Sequence, residues 1–169
     1  MPLPKVFDQN EWFVLLWLII GYAVIFFLPK RTPLSILLII MLFSSTVARI
    51  SDHLLAAPQL DLYNIMDTGL YDFFDFLTYF LYAPFGFLFV YIYERMRLRG
   101  IETFFYIVIW SLFGTLFEGI CVHFNVFTYN NWRLAYSFHV YLVTQSLTLG
   151  LFILLTRTHK LLKSGKTLD

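Results

Sequence analysis

The chain carries five long apolar runs separated by short polar stretches. They lie at about residues 12–28, 34–50, 73–93, 103–124 and 135–156. A helix needs roughly 20 residues to cross a hydrocarbon core of about 30 Å, and each run approaches that length. The first run is apolar on every face, whereas a strand of a membrane β-barrel alternates between apolar and polar residues. The pattern therefore predicts an all-α fold, a bundle of five transmembrane helices that forms a single domain over residues 1–169.

The composition narrows the class of protein further. Hydrophobic residues make up 59% of the chain and charged residues only 14%, whereas about a quarter of the residues in a soluble domain are charged. A cytosolic enzyme and a disordered chain are therefore excluded. A single cysteine, Cys121, excludes a disulfide framework, and a net charge of +1 gives no concentrated basic face for nucleic acid.

Basic residues are distributed unevenly between the two ends of the predicted helices. Nine of the twelve lie in the first loop, the third loop and the tail: Lys30, Arg31, Arg95, Arg97, Arg99, Arg157, Lys160, Lys163 and Lys166. Five alternating spans bring these three segments to one face, and the positive-inside rule makes that face cytoplasmic. We therefore expect the N-terminus outside and the C-terminus in the cytoplasm.

Several polar residues fall inside or next to the apolar runs, although a charge at the centre of a bilayer costs about 2.5–3.5 kcal/mol on insertion scales. Asp75 lies in the third run, Glu118 in the fourth and His139 near the start of the fifth. Trp132 and Arg133 come directly before the fifth run. We expect these residues to form one ligand-binding cavity in the outer half of the membrane, with Trp132 and Arg133 at its mouth.

Each of these residues also has a purely structural interpretation. Arg49 and Asp52, three residues apart at the end of the second run, are predicted to form a structural ion pair. Asp75 and Glu118 are equally consistent with a structural hydrogen-bond network and with a functional site. His139 is consistent with a histidine whose hydrogen bonds are satisfied at the start of a helix. No HExxH, CxxC, GxSxG or phosphate-loop spacing occurs, so no metal ligand, catalytic residue or cofactor is predicted.

A motif spans the end of the fourth run and the start of the fifth. It consists of Glu118, Asn131, Trp132, Tyr136, Ser137 and Phe138. In these residues the chain resembles a family of small multi-span membrane proteins of spore-forming Gram-positive bacteria. That family has proline after the glutamate and after Ser-Phe, where this chain has Gly119 and His139. The resemblance implies a multi-pass protein of the bacterial cytoplasmic membrane, and it brings no activity with it.

Together these observations favour a protein that acts by binding, either as an accessory or assembly component or as a receptor for a small amphipathic ligand. The expected partners are membrane lipids, such a ligand, another membrane protein or a second copy of the chain. Two alternatives remain open. A small-solute or ion transporter needs polar groups across the whole membrane, and a membrane enzyme would use Asp75 and Glu118 on a lipid or an isoprenoid.

Overall fold

The computed structural model describes residues 7–57, 59–66 and 73–165. Within them it contains five helices: α1 (Gln9–Phe27), α2 (Leu34–Leu55), α3 (Phe73–Met96), α4 (Ile101–His123) and α5 (Leu134–Lys163). All five are long and apolar enough to span a membrane, which confirms the predicted helical class. α2 and α5 extend beyond their apolar runs, and α5 does so through residues such as Arg157, Lys160 and Leu161, which are good helix formers.

Two short strands lie in the loops that join the helices. β1 (Tyr63–Ile65) follows α2, β2 (Phe127–Tyr129) follows α4, and the two pair antiparallel with Tyr63 opposite Tyr129. The all-α prediction missed this sheet. Aromatic residues favour strands, but segments of three residues are too short to show the alternation by which strands are predicted. The sheet holds the second and fourth loops at one end of the bundle, which we call the sheet end.

The first and third loops lie together at the opposite end. Thr32, in the first loop, donates a side-chain hydrogen bond to the carboxylate of Glu94 in the last turns of α3. We call this the basic end, because the basic residues of the first and third loops and of the last turns of α5 lie there. The helices therefore alternate in direction.

Two apolar clusters fill the bundle, one near each end. The cluster at the sheet end consists of Phe13, Val14, Tyr63, Met66, Phe74, Leu81, Cys121, Val126 and Phe127. The cluster at the basic end consists of Ile36, Leu37, Ile40, Phe87, Phe89, Val90, Tyr106, Leu149 and Phe152. α3 contributes to both clusters, packs against α1, α2 and α5, and has the largest buried share of the five helices. It is the central helix of the bundle.

Small residues allow α3 to approach its neighbours closely. A Cβ atom on Gly86 would lie 1.9 Å from Oγ and 2.8 Å from Cβ of Ser44 on α2. On the other side, a Cβ atom on Gly21 of α1 would lie 3.0 Å from the ring of Pro84. Glycine is therefore required at residue 86, because a methyl group there overlaps another helix.

We expect Gly86→Ala to lower the free energy of unfolding by about 3 kcal/mol, because overpacking a close helix contact forces the helices apart. Unfolding of the purified protein in mixed detergent micelles measures the change. Gly150→Ala is the matched control, since nothing lies within 4 Å of a Cβ atom there and alanine is the better helix former. The contact is not as described if both variants are equally stable, or if Ser44→Gly fails to restore stability to Gly86→Ala.

Candidate ligand-binding site

A cavity of about 120 Å³ lies between α2, α3, α4, α5 and the sheet. It occupies the half of the bundle nearer the sheet end, and its size approaches that of an engineered cavity of about 150 Å³ that binds benzene. Among the described residues that line it, two carry carboxyl groups, Asp52 and Glu118. Much of its wall is aromatic: Tyr63, Tyr82, Phe85, Trp110, Phe117, Phe127, Tyr129, Trp132 and Tyr141. The cavity therefore combines an apolar body with a few polar groups, as small-molecule sites do.

Glu118 is the centre of a hydrogen-bond network in the cavity wall. Its Oε1 accepts hydrogen bonds from the hydroxyls of Tyr129 and of Ser137, the latter at 2.6 Å. Its Oε2 accepts one from the hydroxyl of Tyr141 at 2.8 Å. The indole of Trp132 donates to Ser137 Oγ at 2.8 Å and so extends the network towards the sheet end. A carboxylate has about four acceptor positions, and three of those on Glu118 are filled by the protein itself.

Helix periodicity explains why α5 supplies these donors. Ser137 and Tyr141 are four residues apart, so they project from the same face of α5 towards α4. On α4, Gly114 lies one turn before Glu118 and faces the same aromatic ring, since a Cβ atom there would be in ordinary contact with it, 3.4 Å from Cγ of Tyr141. Tyr129 comes from β2 instead. Burial and its hydrogen bond to Glu118 raise the pKa of the Tyr129 phenol, which therefore stays protonated and donates.

Asp52 provides the second carboxyl group, from the last turns of α2. Its side chain is only 7% exposed, and its Oδ1 accepts a hydrogen bond of 2.6 Å from the hydroxyl of Tyr63. Burial, and then the charge of Asp52, raise the pKa of that phenol and keep it a donor. The other oxygen, Oδ2, is buried and has no hydrogen-bond partner. A buried acceptor without a donor costs about 1–3 kcal/mol, so Asp52 has an unfilled position.

Of the five residues predicted to form the site, the structure brings only two together. Glu118 and Trp132 both line the cavity. Asp75 is buried in the first turn of α3, but it lines a neighbouring cavity near the end of α2. His139 and Arg133 are exposed and line neither cavity. The expectation of one cavity shared by Asp75, Glu118 and His139 is therefore wrong.

The helix geometry gives the reason for these placements. His139 is two residues from both Ser137 and Tyr141, so it points to the other side of α5, where its Nδ1 lies 3.2 Å from the carbonyl oxygen of Ala135. Arg133 is the extended residue before the first turn of α5. Asp75 lies nearly one turn before Thr78 and is therefore beyond the end of the cavity.

Arg49 and Asp52 make hydrogen bonds to different tyrosines. Nη1 of Arg49 donates to the hydroxyl of Tyr79 at 2.8 Å, and the guanidinium lies 5.2 Å from the centroid of the same ring. Asp52 is bonded to Tyr63 instead. Arg49 is exposed whereas Asp52 is buried, and both line the neighbouring cavity near the end of α2. The structural ion pair predicted between Arg49 and Asp52 stays a prediction.

Several polar residues of the site were not predicted. Ser137, Tyr141, Gln145 and Thr148 all line the cavity from α5, and their spacings of four, four and three residues form a polar stripe that the sequence displays. No spacing pattern in the sequence indicates the contacts of Tyr63 and Tyr129, because these contacts depend on pairing between two loops that are far apart in the chain. Within the described part of the chain, no group of three or more His, Cys, Asp or Glu residues is placed to hold a metal ion.

Comparison of the chain with protein-family models, curated proteins and solved structures gives no match. The family resemblance therefore rests on its sequence motif, and function is inferred from the cavity.

We expect the hydrogen bond between Tyr141 and Glu118 to stabilise the fold by about 1.5 kcal/mol, within the range measured for bonds to charged groups. The measurement is a double-mutant cycle of unfolding free energies with Tyr141→Phe and Glu118→Gln. Tyr136→Phe is the matched control on the same helix, because Tyr136 is 45% exposed. Its cycle with Glu118→Gln should show no coupling. Equal coupling in the two cycles would refute the network.

Proposed function

We propose that the protein is a multi-pass protein of the bacterial cytoplasmic membrane that acts by binding a small amphipathic ligand in the cavity between α2 and α5. It serves as a receptor or as an accessory component rather than as an enzyme. The observation that carries this proposal is that Asp52, which lines a largely aromatic cavity, has a buried oxygen without a hydrogen-bond donor. A binding site presents such a combination of apolar walls and a few convergent polar groups.

The outer surface of the bundle supports a membrane location. Large apolar side chains project from every helix, among them Phe27 at 81% exposure, Leu42 at 69% and Leu116 at 67%. Water solvates such a surface poorly, and soluble proteins rarely expose large continuous apolar patches. Lipid acyl chains solvate these faces, while the polar groups of the site turn away from them.

Loop contacts support the proposed orientation. The two loops joined by β1 and β2 lie at the end without the basic clusters, and the loops rich in lysine and arginine lie at the other end. By the positive-inside rule the basic end is cytoplasmic and the sheet end is outside. The cavity then lies in the outer half of the membrane.

Neither alternative has a comparable observation in its favour. A transporter needs a polar path to the basic end, yet that end is filled by apolar side chains such as Ile40, Phe87 and Phe89, each at most 1% exposed. The two-carboxyl enzyme considered above uses Asp75 and Glu118, yet these line different cavities. Of the two acids that do share a cavity, Asp52 and Glu118, the second already accepts three hydrogen bonds from the protein. Binding without transport or catalysis is therefore the better proposal.

The orientation predicts which introduced cysteines react with a membrane-impermeant maleimide applied to intact cells. We expect Gln59→Cys, in the exposed second loop, to be labelled from outside, and Met96→Cys, exposed at the end of α3, to be labelled only after permeabilisation. Neither substitution removes a charge. The native Cys121 is buried and gives the background. If only Met96→Cys is labelled in intact cells, the protein has the opposite orientation, with the basic end outside.

The cavity predicts binding of small amphipathic molecules. In protein reconstituted into phosphatidylcholine nanodiscs, we expect n-butanol or n-butylamine to raise the unfolding temperature, because a ligand at ten times its Kd adds about 1.4 kcal/mol. Ala48 lines the cavity, and Ala48→Leu should abolish the shift by filling it. Ala23→Leu on α1, outside the cavity wall, is the control for size alone. The binding site is refuted if neither molecule raises the unfolding temperature, or if the rise is the same in Ala48→Leu as in the unmodified protein.

A further inference from the structure

We infer that the ligand of the cavity carries a primary ammonium group, which donates a hydrogen bond to Oδ2 of Asp52 and lies among the aromatic rings beside it. This inference rests on the proposed function and names the chemical class of the ligand. It assigns the principal contact to Asp52 and an organising role to Glu118.

The carboxyl oxygens of Asp52 call for a ligand that donates a hydrogen bond. Oδ1 already accepts from Tyr63, whereas Oδ2 is buried in the protein without a donor. The side chain as a whole is only 7% exposed. When Asp52 is ionised, its carboxylate only accepts hydrogen bonds, so a group that completes the site in that state is a donor. A donor that also carries a positive charge forms the stronger bond.

The charge of the cavity walls favours a cation. Both ionisable acids of the cavity, Asp52 and Glu118, are negative when ionised, and among the described residues that line it none is Lys, Arg or His. A buried carboxylate is costly, and a cationic ligand in the cavity offsets part of that cost. The described walls offer no basic side chain that would compensate an anionic ligand.

The aromatic lining near Asp52 also suits a cation. The ring of Tyr63, which donates to Asp52, lies in an edge-on arrangement with the indole of Trp132, their centroids 5.9 Å apart. Both rings line the cavity. The faces of tyrosine and tryptophan attract ammonium groups, most strongly where water is excluded. An apolar chain on the ligand would then pack against Phe85 and Phe117, which line the same cavity.

Glu118 has a different role from Asp52. Three of its acceptor positions are occupied by hydroxyls of the protein, which leaves it little capacity to bind a ligand directly. It fixes the positions of Tyr129 and Tyr141 in the wall instead. Glu118 is therefore a positioning residue, and Asp52 is the residue that contacts the ligand.

Two sources supply a primary ammonium group in a membrane, a free amine and the headgroup of an aminophospholipid. Their shared chemistry is the N–H donor with a positive charge. The cavity volume of about 120 Å³ accommodates either a small amine or part of a headgroup.

Calorimetric titration of the protein in phosphatidylcholine nanodiscs, with empty discs subtracted, tests the inference without any mutation. We expect n-butylammonium to bind at least about tenfold more tightly than its neutral isostere n-butanol, the factor for one hydrogen bond to a charged group. Tetramethylammonium, which has no N–H donor, should bind more weakly than n-butylammonium. If n-butanol binds as tightly as the amine, the ammonium inference is wrong while the proposed function stands. If no probe binds, both are wrong.

A substitution at Asp52 then tests whether this residue contacts the ammonium group. Asp52→Asn keeps an acceptor for Tyr63 and replaces Oδ2 by an amide, so n-butylammonium should bind about tenfold or more weakly while n-butanol changes little. Asp61→Asn is the matched control, because Asp61 is an exposed acid outside the cavity wall. An equal loss of amine affinity in both variants would show only a general field effect and would overturn the assignment.

A final experiment distinguishes a free amine from an aminophospholipid headgroup as the source of the ammonium group. Discs that contain phosphatidylethanolamine should weaken the apparent binding of n-butylammonium if the headgroup occupies the site, and should leave it unchanged if the natural ligand is a free amine. Both results support an ammonium site, provided that Asp52→Asn removes the amine binding in the first discs.

Discussion

A carboxyl group inside a protein has to find its hydrogen-bond donors there, because an unsatisfied buried acceptor is costly, and the polar contacts of the bundle follow from this constraint. Glu118 on α4 takes its donors from β2 and from α5. The hydrogen bond from Tyr129 connects α4 to the fourth loop, where β2 pairs with β1 from the second loop. The sheet, the tyrosine at position 129 and the contact between α4 and α5 are thus connected through one side chain.

Features that depend on local composition could be predicted from the sequence. Five helices could be located because apolar length alone identifies a span, and Glu118 and Trp132 could be assigned to a cavity wall because an acid inside a span demands polar neighbours. The contact of Asp52 with Tyr63 and the pairing of β1 with β2 could not, since both join segments that no periodicity connects. The prediction for His139 was wrong because helical phase, which aligns Ser137 with Tyr141, turns residue 139 outward whatever its polarity.

The two carboxyl groups of the cavity differ in how far the protein satisfies them. Glu118 has donors on both oxygens, whereas Asp52 has a donor on Oδ1 only. Asp52 lines the cavity, and none of the described residues donates a hydrogen bond to its Oδ2. Because of this difference, Glu118 organises the cavity wall and Asp52 is the residue available to contact a ligand. An arrangement of this kind fits ligand binding better than it fits transport through the closed basic end. It also fits binding better than catalysis in which both acids act on a substrate.

The most direct test of the central claim is solid-state NMR on the protein in lipid bilayers, with ¹³C at the glutamate carboxyl and at the tyrosine Cζ. Through-space transfer should connect the carboxyl carbon of Glu118 with the phenol carbons of Tyr129 and Tyr141, and Glu118→Gln should remove both signals. Transfer from that carboxyl carbon to lipid acyl chains, with none to either tyrosine, would contradict the account.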